Sequence, residues 1–123
     1  MARWVRVCNR THKGEQLVLA RWCESYLCRL RGLTFRFRVP EQRGLLLVGR
    51  TDSIPLAAIH MFGVFLSLGV IWLDSSQRVV DRVLARPFGV YRPSAPARYA
   101  LEGRPSILER VNLGDELDFE DEA

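Results

Sequence analysis

Two histidines, three cysteines and seventeen arginines are the side chains with the most obvious chemistry in this chain of 123 residues. His60 stands inside the longest apolar run, in the word Ile59-His60-Met61-Phe62-Gly63. An imidazole beside an aromatic ring, with a glycine that lets backbone approach a ligand, suits anion binding or proton carriage. Were Arg31 and Arg98 to converge on His60, with Phe62 and Tyr99 as walls, the five would form an anion pocket. The plainer account of His60 is a hydrogen-bonded structural histidine at a strand end. Cys8, Cys23 and Cys28 could join His12 in a four-ligand zinc set. Cys23 and Cys28 are five apart, however, which is not zinc-knuckle spacing, and core thiols are the expectation. Neither a metal nor a cofactor is expected.

Catalysis finds little support. The chain has no G-x-S-x-G, no glycine-rich phosphate loop, no H-E-x-x-H and no spaced pair of acids. Glu102 could face a cleft, but one acid without a partner is not a mechanism. Asp74 and Asp81 flank a turn, where solvation accounts for them.

The elements that would position these residues read mainly as strands. From Ile54 to Leu73 no Asp, Glu, Lys or Arg occurs, a length that raises a membrane-spanning helix. Pro55, His60, Gly63, Ser67 and Gly69 argue instead for a buried β pair. Alternation puts Leu66, Leu68, Val70 and Trp72 on one face and Phe65, Ser67, Gly69, Ile71 and Leu73 on the other, as in a central strand covered on both sides. Asp74 to Gln77 supply a turn, and Val79, Val80 and Val83 resume the β-branched pattern, so 65–84 is expected to be a hairpin.

Before it, Trp4–Val7 and Gln16–Leu19 predict an amino-terminal hairpin. From Ala20 the spacing of Cys23, Tyr26, Leu27 and Leu30 predicts an amphipathic helix of about three turns closed by Gly32, its end carrying Arg29 and Arg31. Leu45–Val48 is a buried-strand candidate, with Gly49–Pro55 as a turn-rich linker. After the hairpin, Pro87, Pro93 and Pro96 predict an irregular loop over 86–96. A strand follows at Tyr99–Glu102. A short helix is expected where Ser106 and Glu109 have capping-box spacing, then a last strand at Glu116–Phe119.

The formal charge of +4 conceals a division. Residues 1–114 hold all 18 bases and eight acids, while 115–123 hold six acids and no base. The acids of the end are expected to neutralise a neighbouring basic face; nucleic-acid binding is not expected, since no recognition motif accompanies the charge. Three cysteines cannot all pair within one chain, and no secretory segment precedes them, so a cytoplasmic location is expected.

Six words occur in a familiar order: RLRGL at Arg29–Leu33, GLLLV at Gly44–Val48, IHMFG at Ile59–Gly63, VIWLD at Val70–Asp74 with RVV at Arg78–Val80, ARYALE at Ala97–Glu102 and LGDEL at Leu113–Leu117. In this order the chain resembles the DUF192 family of small bacterial and archaeal domains. The resemblance implies a compact, mainly β fold with two short helices and implies no reaction. Against the family's usual central word, Met61 stands at a Thr, Val64 at a Met, Ser67 at a Pro and Gly69 at an Asp, so any polar site the family builds on that Thr and Asp is depleted here.

The expectation is therefore a single DUF192-like domain over 1–119 with an acidic tail at 120–123. Its fold is mainly β, a largely antiparallel sandwich or barrel with two short α-helices, α+β being the alternative. Its role is binding of a small anionic or polar ligand near His60. The alternative is a protein-interaction or assembly domain, with a homodimer or another protein as partner and no membrane involvement.

Overall fold

The computed structural model describes residues 3–25, 28, 40 and 42–122. The fold is mainly β, and its strands are β1 Trp4–Asn9, β2 Glu15–Cys23, β3 Arg43–Ser53, β4 Ile59–His60, β5 Leu68–Leu73, β6 Val79–Ala85, β7 Val90–Tyr91, β8 Ala97–Gly103 and β9 Leu117–Asp121. Seven of them form one sheet in the order β6-β5-β8-β3-β2-β1-β9, while β4 and β7 form a separate two-stranded ribbon. β2 and β3 run parallel and the other neighbours antiparallel.

Alternation explains which face each residue takes. In β1, Val5, Val7 and Asn9 are buried, while Trp4, Arg6 and Cys8 lie between them, half-buried. The sheet curls, because its two edge strands meet: Arg78 and Glu116 form an antiparallel bridge. Backbone hydrogen bonds from Val79 N–H to the Asp115 carbonyl (2.8 Å) and from Leu117 N–H to the Gln77 carbonyl (2.9 Å) flank it. The result is a half-barrel joined at one end. Val5, Val7, Leu46, Ile71, Leu73, Leu101 and Leu117 fill its interior. Towards the other end of β5 the 3-10 helix Pro105–Arg110 inserts Ile107 into the same cluster. Gly69 permits this: a Cβ there would lie 2.9 Å from both the Arg104 carbonyl oxygen and Ile107 Cγ1.

A second layer covers the outside of β5 and β8. Ile59, Met61 and Val64 pack there against Leu68, Val70, Trp72, Ala85 and Ala100. The Trp72 indole N–H donates to the Ala57 carbonyl (2.8 Å), fastening the covering segment to the sheet. β5 is thus buried on both faces along its whole length, as its alternation predicts. Both expected hairpins form, β1–β2 and β5–β6.

Other expectations are corrected. The two short α-helices are not borne out among the described residues. Ala20–Cys23 continue β2, where pairing with Gly44–Leu47 satisfies their backbone and overrides their helical spacing. Residues 26–27 and 29–32 of that expected helix lie outside the described residues. The later helix is a 3-10 turn whose N-cap, Arg104, makes no side-chain cap, so the Ser106/Glu109 capping box does not form. Gly49–Ser53 belong to β3 rather than to a linker, and the proline-rich 86–96 loop contains β7. Cys23 and Cys28 are joined in a disulfide and are not core thiols. That leaves Cys8 as the free thiol among the three, and the cysteine argument for a reducing compartment falls away. No helix is long and apolar enough to cross a membrane among the described residues.

Candidate functional site

His60 ends the short strand β4, where it pairs with Val90 of β7, and its side chain is exposed. Its imidazole stacks on Phe62, with ring centroids 5.2 Å apart and planes 23° from parallel. Phe62 N–H donates to His60 Nδ1 at 3.3 Å. With Nδ1 accepting, a neutral ring carries its proton on Nε2, so His60 offers a hydrogen-bond donor beside an aromatic face.

The segment carrying Phe62 is held to the one carrying Phe88. Met61 N–H donates to the Gly89 carbonyl (2.7 Å) and Phe88 N–H to the Met61 carbonyl (2.8 Å). Phe88 meets Phe65 edge-on, with centroids 5.6 Å apart. Among the described residues, the large apolar side chains left exposed are Leu56, Phe62, Phe65, Leu84, Phe88, Val90 and Leu113; Leu56, Phe62 and Phe65 belong to the first of these segments and Phe88 and Val90 to the second. Phe62 and Phe88 are each 55% exposed and Val90 64%. Phe88 also has φ +66°. A left-handed backbone at a residue other than glycine costs about 1–2 kcal/mol, and here it is spent on a ring that burial does not repay.

The other expected site residues are placed differently. Tyr99 is 5% exposed inside the half-barrel, where it meets Phe119 edge-on at 5.1 Å. It therefore belongs to the inner cluster, whereas the β4 segment packs on the outer one. Arg98 is half-buried: its Nε donates to the Gly49 carbonyl (3.0 Å) and its guanidinium lies 5.1 Å from the Tyr99 ring centroid. Arg31 lies outside the described residues. The structure brings His60 and Phe62 together, and Arg98 and Tyr99 together, as two separate pairs.

Two polar features are buried: the Asn9–Asp115 pair, which spacing did not single out, and Glu102, which was weighed as a lone cleft acid. Asn9 and Asp115 are buried at the joined end of the half-barrel. Asn9 Nδ2 donates to Asp115 Oδ2 (2.9 Å) and to the Arg110 carbonyl (3.1 Å), while its Oδ1 accepts from Thr11 and His12 N–H. Asp115 also accepts from Asn112 N–H (2.8 Å) and faces His12 Nε2 at 3.1 Å. Burial pushes the Asp115 carboxyl up, but the hydrogen bonds from Asn9 and Asn112 and the facing His12 outweigh it and hold it below its ordinary value. These bonds fasten the turn after β1 to the strand entering β9, which is a structural role.

Glu102 is the second feature. It sits in β8 between Leu45 of β3 and Val70 of β5, and is 5% exposed. Burial pushes its carboxyl up to about 7. The zinc set is not assembled, since two of its cysteines are bonded to each other; among the described residues no three His, Cys, Asp or Glu side chains gather to hold a metal ion. Burial, chiefly, raises the Cys8 thiol, which disfavours the thiolate a nucleophile needs.

A curled mixed sheet with an aromatic ribbon on its outer face defines a small β domain of one architecture. The chain belongs to the DUF192 family, described as an uncharacterized ACR, whose model matches residues 8–119. Among curated relatives, a UPF0127 protein of Thermococcus sibiricus is 36% identical over 99 residues, covering 79% of this chain and 63% of that protein. A UPF0127 protein of Pyrococcus horikoshii is 33% identical over 111 residues, covering 89% of this chain and 90% of its own. The chain thus spans under two thirds of the first relative and nearly all of the second. A crystal structure from Sinorhizobium meliloti, of a protein provisionally named a transcription regulator, superposes with a TM-score of 0.82 at 19% identity, covering 97% of this chain and 94% of the other. At that identity it shows the shared fold.

Proposed function

We propose that this domain is a binding module whose contact surface is the aromatic face around His60 and Phe62. The bound group presents an anionic or polar acceptor to His60 Nε2–H and an apolar body to Phe62, Phe65 and Phe88. The observation that carries this reading is the gathering of exposed aromatic rings on two hydrogen-bonded segments beside an outward donor. Contiguous exposed apolar surface on a small domain commonly marks a binding site. Arg98, bonded to the Gly49 carbonyl and lying over the Tyr99 ring, and Tyr99, packed in the inner cluster, support the domain in this reading rather than contact the ligand.

The test uses 3-phenylpropionate and its amine counterpart, 3-phenylpropylamine, titrated into isotope-labelled protein and followed by amide shifts. The carboxylate is expected to perturb Phe62, Phe65, Phe88 and Val90 at millimolar concentration, a binding energy of about 4 kcal/mol. The amine should have at least tenfold less effect, and His60→Ala should narrow the difference. Equal response to both probes, or shifts elsewhere only, would sink the assignment. The protein-interaction reading shares this surface, and the breadth of the exposed patch favours it.

A further inference from the structure

We infer that the aromatic face receives a segment of another protein in which apolar side chains are flanked by Asp or Glu. This rests on the binding-face reading above and names the partner's chemistry. Exposure comes first. A small-molecule cleft encloses most of its ligand between lining residues, whereas Phe62, Phe88 and Val90 are each more than half exposed on neighbouring segments. Such aromatic anchors suit the centre of a protein interface.

Charge then selects the occupant. Residues 53–73 carry no charged side chain, and 82–101 carry arginines and no acid. Arg86 and Arg92, both exposed, bracket Phe88 and Val90 in sequence. A second copy of this chain docking by the same face would set these arginines against their own counterparts. Of the acids that end the chain, Glu116, Glu120 and Asp121 already pair with Arg78, Arg6 and Arg3. The complement is an acidic partner. Backbone strain at Phe88 bears on the anchor and not on the charge: the chain holds a left-handed aromatic in the open instead of a glycine.

The experiment titrates the full chain with a synthetic peptide that alternates Glu or Asp with Leu and Phe, and with the same peptide carrying Lys at each acid. Amide shifts report where and how tightly each binds. Support requires three results: the acidic peptide binds at least tenfold more tightly than 3-phenylpropionate, its shifts map to Phe62, Phe65, Phe88 and Val90, and the Lys peptide is at least tenfold weaker. Arg86→Glu with Arg92→Glu should reverse the preference. Phe88→Gly should lose about tenfold in affinity while keeping its melting temperature, because glycine relieves the strain; this separates docking from folding. Equal binding of both peptides overturns the inference, as does self-association through this face in light scattering. Binding to phosphatidylserine vesicles without binding to the acidic peptide overturns it as well. If 3-phenylpropionate marks the face and the acidic peptide gains nothing over it, the partner assignment falls and the binding face stands. If neither probe touches the face, both fall.

Discussion

Glu102 is a carboxyl set in an apolar row, and its position makes stability depend on pH. Its folded value, about 7, lies above the ordinary 4.5, so the unfolded chain gives up this proton at lower pH than the folded one. Stability from this group is whole below pH 4.5, declines as pH rises, and is lost beyond pH 7; the difference is about 3 kcal/mol. Asp115 has the opposite sign, its stabilisation fading as pH falls through its lowered value. Urea denaturation at pH 5 and pH 8 should show the wild type more stable at pH 5, and Glu102→Gln should remove most of that gap. A gap that persists in the variant would exclude Glu102 as its source. Asn9→Ala should cost about 2–4 kcal/mol in the same assay, since it strips a buried carboxylate and two backbone donors of their partner. At this scale His60 was legible as an imidazole in an uncharged run. Phe88 was not, because spacing reveals neither a positive φ nor the segment that will lie beside a loop. Tyr99 packs in the inner cluster against Phe119, a placement that depends on the curl of the sheet and that spacing along β8 does not show.

The elements differ in how much of them was written locally. β5 was legible because both of its faces are apolar, a pattern that only a strand covered on two sides requires. Ala20–Cys23 were not, since their helical spacing is local and the parallel partner that overrides it begins twenty residues later. The outer layer was hidden for the same reason: Ile59 and Tyr91 are far apart in sequence, and their pairing is what turns a proline-rich loop into a ribbon. Trp72 carries that layer through one hydrogen bond to Ala57 as well as through its buried ring. Trp72→Phe keeps an aromatic body and loses the indole donor, which should cost about 1–3 kcal/mol. Hydrogen exchange should quicken first at the Met61 and Phe88 amides, leaving β1 and β2 protected. Uniform loss of protection would mean that the two layers open as one.

For the molecule as a whole, the charge division becomes a contact. Arg3 meets Asp121 at 2.7 Å, Arg6 meets Glu120 at 3.6 Å, and Arg78 meets Glu116 at 3.0 Å, so the acidic end neutralises the strand beside it, as the composition suggests. These pairs are exposed, and each is worth at most about 1 kcal/mol. Raising salt to about 1 M should therefore lower stability only modestly while sharply weakening any acidic peptide at the aromatic face, where long-range attraction supplies the preference. Calorimetry and the peptide titration at two salt concentrations would separate the two effects.

The pairing of β1 with β9 sets a schedule for folding. Val5 lies opposite Asp121 and Asn9 opposite Leu117, so β1 shares a ladder with a strand synthesised long after it. Until β9 emerges, the outer edge of β1 has no neighbour in this sheet and remains open to other chains. Contacts so distant in sequence must close a long loop before they repay its entropy, which favours slow folding for the size of the domain. A nascent chain held short of β9 should stay sensitive to protease and prone to aggregate, and release of β9 should end both.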